Sequence, residues 1–209
     1  MLTVHHLNNS RSQRVLWLLE ELSLDYQLKS YQRDPETNLA PPELEQIHPL
    51  GKSPVLSDGA ATIIESGAII DYILRRYGDG QLQPAAGSDE YEAYLQWLHY
   101  AEGSAMLPMM LKMYTARLGD AGAPLQPRIA DELQRHLGYI EKALEGVDWL
   151  VGNCFSGADI QLSFVVEITP LLYSLDKLPN IAEYRQRFQQ RPAYRRALER
   201  GGFYAYGNS

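Results

Sequence analysis

The spacing of apolar residues divides this chain into two parts. In the first, short β-like runs are interleaved with helical periods. Leu2 to Leu7 is β-like, and Asn8, Asn9 and Ser10 follow it as a turn and helix-cap cluster. Val15, Leu16, Leu18, Leu19 and Leu22 then recur at helical spacing, and Tyr26 to Tyr31 reads as a second strand. An opening of strand, helix and strand calls for a crossover helix packed on a sheet. Residues 32 to 48 carry charge together with Pro35, Pro41 and Pro42, so they predict a loop with one short helix. Pro54 to Leu56 and Thr62 to Ile64 read as two short strands joined by an Asp58-Gly59 hairpin turn. Ser66 is expected to cap a helix that runs through Ile69, Ile70, Ile73 and Leu74 to Tyr77 and stops at Gly78.

That order fits an α/β domain of the thioredoxin-like kind over residues 1–78. Asp79 to Ser88 is rich in Gly, Pro and Ala, the composition of a linker. From residue 89 to 209 the pattern is all-helical. One helix is expected from Asp89 to about Leu118, a second from Pro127 to about Leu144, a third from near Ala158, and shorter ones over 180–200. Ser156 followed three positions later by Asp159 is a capping box, with Phe155 and Ile160 spaced for a hydrophobic staple.

At 209 residues, the chain can bury a real core as one large domain or two small ones. A formal net charge of −7 argues against non-specific binding to nucleic acid or to an anionic membrane, either of which needs a basic patch. The single cysteine, Cys154, excludes an internal disulfide and a dithiol motif. It lies in an apolar stretch and is expected to be a buried, inert thiol. Met1 to His6 lacks a basic-then-apolar leader pattern, and no apolar run reaches membrane-spanning length, so the expected location is the cytoplasm. His5 and His6 point opposite ways on a strand, and His48, His99 and His136 have no partners at ligand spacing, so no metal is expected. Arg185, Arg187, Arg191, Arg195, Arg196 and Arg200 alternate with Glu and Gln and read as a solvated helix face.

Three segments carry the candidate chemistry. Asn9-Ser10-Arg11-Ser12-Gln13-Arg14 opens the first helix. A thiol placed there meets unpaired N–H groups and the helix dipole, which favour its anion and lower a reference pKa of about 8.5. A hydroxyl donor adds a charge-assisted hydrogen bond. The commonest task of Ser10 or Ser12, however, is capping. In Gly51-Lys52-Ser53-Pro54 a proline interrupts a strand-forming sequence. In Glu65-Ser66 an acid precedes a helix start, a pairing that matches an ammonium and a carboxylate on one carbon.

Taken together, these segments and the Leu150-Val151-Gly152 and Phe155 to Ile160 string resemble the glutathione transferase family over nearly the whole chain. The resemblance implies a thioredoxin-like glutathione-binding domain followed by an all-α domain. It makes Ser10, four residues before Arg14, the hydroxyl that activates the glutathione sulfur, with Ser12 and Asn9 as alternatives. Tyrosine- and cysteine-type activation lack their residues here. The resemblance also implies a cis Pro54, backbone contacts from Ser53, a carboxylate contact from Lys52, and recognition of the γ-glutamyl end by Glu65 and Ser66. Glutathione is then a co-substrate, and a homodimer is expected. Met106, Met109, Met110 and Tyr114 share one predicted helix and are the candidates for an apolar pocket that holds the electrophile; ordinary core packing is the alternative. Phe203, Tyr204 and Tyr206 could cover that pocket or simply pack. The expected reaction is conjugation of glutathione to an apolar electrophile. A glutathione-dependent peroxidase or thiol transferase, or a non-catalytic binding protein on the same fold, are the alternatives.

Overall fold

The computed structural model describes residues 1–207. Two compact units form: Met1–Gln83 together with the stretch from Phe188 onward, and Pro84–Arg187.

In the first unit the expected order holds: β1 (Leu2–Leu7), α1 (Ser12–Glu21), β2 (Tyr26–Tyr31), β3 (Val55–Asp58), β4 (Ala61–Ile64) and α2 (Ser66–Tyr77). The sheet runs β2-β1-β3-β4. The β1–β2 pair is parallel, as the crossover through α1 requires, and the other two pairs are antiparallel. Leu2, Val4 and Leu7 of β1 are buried with Leu16 and Leu19 of α1 and Ile69, Ile70 and Ile73 of α2. α1 ends where Ser23 takes a left-handed φ of 53°, with Ser23 N–H bonded to the Glu20 carbonyl and Leu24 N–H to the Leu19 carbonyl. That is a Schellman stop built on serine rather than glycine.

Two expectations about this unit change. Ser66 does not cap α2; it is the first helical residue, and Glu65 occupies the cap position at φ 67° with no side-chain cap bond. The second concerns the C-terminal stretch, which the helical pattern had joined to residues 89–187. α8 (Pro192–Gly201) instead packs on α1, where Phe188 and Tyr194 meet the Trp17 ring at 5.5 and 5.3 Å. Its arginines are not simply solvated. Arg191 forks onto both carboxylate oxygens of Glu21 at 2.6 and 2.9 Å, and Arg196 and Arg200 reach Glu20. Arg185, in α7 (Pro179–Gln189), is buried.

In the second unit α3 (Asp89–Tyr100) passes into α4 (Met106–Ala116) through a π-helical turn, Ala101–Ala105, which accounts for the single long period in the sequence. α5 (Gln126–Ala143) packs on α4, and α6 (Gly157–Ile168) on α3. Every residue of α6 is buried, as suits a helix apolar on most faces. Its capping box is complete. Asp159 accepts from Ser156 N–H at 2.8 Å, and Ser156 Oγ accepts from Ala158 N–H at 3.3 Å. Asp159 also accepts from Leu150 N–H and from the Tyr184 hydroxyl. Cys154, expected to be buried, is exposed. The turn from Val151 to Cys154 points it outward while its neighbour Phe155 packs edge-on against Trp149.

Candidate functional site

The sheet register gathers the three segments at one end of the first unit. Val55, at the start of β3, is paired with both His5 of β1 and Ile64 of β4. The loop after β1, the Ser53-Pro54 turn before β3 and the Glu65-Ser66 step after β4 therefore share that end. Side chains stitch them together. Leu7 N–H is shared between Ser12 Oγ at 3.3 Å and Ser53 Oγ at 3.2 Å, and Ser53 Oγ donates to the His5 carbonyl at 2.8 Å. Arg14, 1% exposed, donates from α1 to the Ser66 hydroxyl at 3.2 Å. The Ser53–Pro54 bond is cis. Ser10, Ser53, Pro54, Glu65 and Ser66 are thus brought together, with Lys52 exposed beside them.

Of the three candidates for sulfur activation, Ser10 and Ser12 are both buried and Asn9 is half-buried. Ser12 is fully buried, its hydroxyl 2.8 Å from His6 Nδ1 and 2.8 Å from Ser10 Oγ. Ser10 keeps a 4% exposure and accepts Ser12 N–H at 3.2 Å. Asn9 is held at φ 50°, and its side-chain oxygen accepts from Ala205 N–H at 2.8 Å. Arg33 clamps the same loop from outside through the Asn8 and Asn9 carbonyls. Its own N–H donates to Asn8 Oδ1. His6 Nε2 lies 3.1 Å from the Gly201 carbonyl at the end of α8. Burial pushes the His6 imidazole down to about 4, against a smaller upward effect of that hydrogen bond.

His6, Arg14 and Arg33 were not singled out as site residues by sequence reasoning. Alternation along β1 shows that one of His5 and His6 faces α1. The hydroxyl it meets depends on how the loop of residues 8–11 folds back, and no local pattern encodes that.

The four expected pocket residues all belong to the helical unit. Met106 and Met109 are buried, Met110 is half-buried, and Tyr114 is 56% exposed. Tyr114 lies with Leu107, Leu111 and Leu118 on an exposed apolar strip that follows helical spacing. Near the C-terminus Phe203 is exposed, whereas Tyr204 is buried edge-on against Tyr206. Among the described residues no three His, Cys, Asp or Glu side chains converge as metal ligands, and no helix is long and apolar enough to cross a membrane.

The chain thus combines a mixed four-stranded sheet flanked by helices, with a serine loop, a cis-proline turn and an acid-serine helix start at one end, and a helical unit. Comparison with known proteins agrees. Residues 1–75 match the model of the glutathione S-transferase N-terminal domain, and residues 103–192 that of the C-terminal domain. Glutathione S-transferase 3 of Schizosaccharomyces pombe is 33% identical over 96% of this chain and 88% of its own length. The crystal structure of a glutathione S-transferase from Actinobacillus pleuropneumoniae superposes with a TM-score of 0.91 at 36% identity, covering 100% of this chain and 97% of that one. A family member from Pseudomonas fluorescens, solved with two glutathione molecules bound, is 26% identical with a TM-score of 0.80, over 95% of this chain and 92% of that one. The chain belongs to the glutathione S-transferase family, and by class it is a glutathione transferase.

Proposed function

We propose that the first unit binds glutathione and that Ser10 donates to its sulfur, holding the thiolate that attacks an apolar electrophile. One observation carries this reading: of the two serines at the start of α1, Ser12 is fully buried with its hydroxyl 2.8 Å from His6 Nδ1, while Ser10, itself buried, keeps a 4% exposure. The bound glutathione of the Pseudomonas fluorescens relative supports the ligand. Ser53 would pair its backbone with the cysteinyl part, since its hydroxyl is committed to the His5 carbonyl. Glu65 is exposed and would accept the γ-glutamyl ammonium. The first N–H groups of α2 at Ser66 would take the adjacent carboxylate, and Lys52 the glycine carboxylate. The rate then comes from positioning and from stabilising the anion, with no covalent enzyme intermediate.

The electrophile is proposed to be apolar because α4 presents the half-buried Met110 and the exposed Tyr114 over buried Met106 and Met109, flexible or aromatic side chains that adapt to varied ligands. The same reading makes the protein a cytoplasmic, metal-independent homodimer acting in detoxification. Steady-state assays with glutathione and either an activated aryl halide or an organic hydroperoxide test the reaction class. Conjugation of the halide is expected. Turnover of the hydroperoxide alone would make the protein a peroxidase, and glutathione binding with neither turnover would make it a binding protein.

A further inference from the structure

Ser10 is linked through Ser12 to a buried histidine, and the donors and acceptors fix the direction of each proton in that chain. The Gly201 carbonyl can only accept, so His6 Nε2, 3.1 Å away, carries a hydrogen. Burial keeps the ring neutral. Nδ1 is therefore a bare lone pair, and the Ser12 hydroxyl at 2.8 Å donates to it, with the Leu7 carbonyl at 3.2 Å as a more distant second acceptor. Ser12 then has no proton to give Ser10. It accepts instead, from Leu7 N–H at 3.3 Å and from the Ser10 hydroxyl at 2.8 Å. Ser10 in turn accepts Ser12 N–H at 3.2 Å.

In this polarity Ser10 offers an incoming sulfur a lone pair. It suits a thiol, which donates, and not a thiolate, which needs the Ser10 proton. The opposite polarity requires only protons to move. With a second proton on His6, Nδ1–H donates to Ser12, Ser12 to Ser10, and Ser10 to the sulfur. We propose that His6 and Ser12 are positioning residues for thiolate formation, coupling the charge of the bound sulfur to that of the imidazole through two hydroxyls. This rests on the reading of Ser10 as the hydroxyl that meets the glutathione sulfur. When the thiol proton travels the relay, the S–H bond breaks and an Nδ1–H bond forms. Each hydroxyl gives one proton and receives one, so no further reactant is needed. Linkage makes the coupling reciprocal: a thiolate at Ser10 raises the proton affinity of His6 by the factor by which protonated His6 favours the thiolate.

The ionisable groups on the elements around His6 are engaged or turned elsewhere. On β1, His5 faces Tyr31 and Ser57. On β2, Lys29 is exposed. On α1, Arg11 is half-buried and Arg14 donates to Ser66. Glu20 and Glu21 are bound by Arg196 and Arg200 of α8 and by Arg191 just before it, and Glu199 of α8 is exposed. The side chain that crowds Gly201 beside the ring is the uncharged Gln13. Closing the end of α8 explains the bond at Nε2 but gives no role to the one at Nδ1, and the test turns on that difference.

The experiment is an NMR titration of the histidine rings in the intact protein, with His6 assigned from His6→Gln, which keeps an amide donor for Gly201. The titration is run with glutathione sulfonate, which carries an anion at the sulfur throughout the range in which His6 titrates, and with S-methylglutathione, which is neutral there. The relay predicts a His6 pKa about one unit higher with the sulfonate, a tenfold change in proton affinity, and loss of that difference in Ser12→Ala. The wild-type pair of ligands decides the matter even if Ser12→Ala does not fold. Equal His6 pKa values in the two complexes, alongside a bound thiol whose pKa is lowered and depends on Ser10, would overturn the relay and leave the serine reading standing. A bound thiol whose pKa is unlowered, or indifferent to Ser10→Ala, would overturn both.

Discussion

Asp159 offers a stability prediction with a definite sign. The carboxyl is fully buried and accepts from Ser156 N–H, Ser156 Oγ, Leu150 N–H and the Tyr184 hydroxyl at 2.8–3.1 Å. Burial nevertheless outweighs these donors and pushes its pKa up to about 6. The native state thus holds this proton more tightly than the unfolded chain does, so the unfolded state binds fewer protons and stability falls as pH rises. The contribution is fully present below the ordinary carboxyl value of 3.8 and is lost as pH passes through about 6. Two units correspond to about 3 kcal/mol. Asp159→Asn cannot titrate. It keeps an acceptor for Leu150 and Tyr184 but turns an amide N–H toward Ser156 N–H, at a cost of about 1–3 kcal/mol. In urea denaturation followed by tryptophan fluorescence, the variant is therefore less stable than wild type near pH 4, and the gap narrows by about 2 kcal/mol toward pH 7. A difference that stays constant over that range would refute the reasoning.

Three further outcomes follow from the same geometry. Glu65→Ala weakens glutathione binding at unchanged thermal stability, because the side chain is exposed and its proposed partner is the ligand ammonium; an unchanged Kd in calorimetry would remove Glu65 from the site. Gly201→Ala sets a methyl group 2.9 Å from Gln13 Oε1 and 3.0 Å from Leu16 Cδ1. It destabilises the protein by about 1–3 kcal/mol, read as a lowered Tm. Cys154 reacts with a thiol reagent in the native protein, one equivalent per chain, as its exposure requires; labelling only after unfolding would contradict the turn that presents it.

The periods along the chain made most of this architecture legible. Strands and helices of the first unit stand where alternation and the 3.6-residue period put them, because each buries one face against the sheet. The capping box at Ser156 was readable for a similar reason: its partners are three residues apart. What escaped depends on distant partners. Cys154 sits among apolar neighbours in sequence, yet a turn projects it outward. The arginines of α8 look solvated until Glu20 and Glu21, some 170 residues earlier, are seen beside them. Ser66 was read as a cap because serine prefers that position, but here its hydroxyl receives Arg14. Ser10 was legible as a candidate only through resemblance. The bond of Ser12 to His6 Nδ1 separates the two serines, and that contact exists only in the folded chain.

The central claim is that Ser10 holds a glutathione thiolate. The most direct test is an ultraviolet pH titration of the thiol of bound glutathione, in wild type and in Ser10→Ala. A hydrogen bond to a charged sulfur is worth about 1.5–3 kcal/mol, or about one to two pKa units. The wild-type complex is expected to ionise well below the free thiol value of about 8.5, and Ser10→Ala to return it toward that value by this amount. A lowered pKa that survives Ser10→Ala would contradict the assignment of the serine, and an unlowered pKa in wild type would contradict thiolate activation at this site altogether.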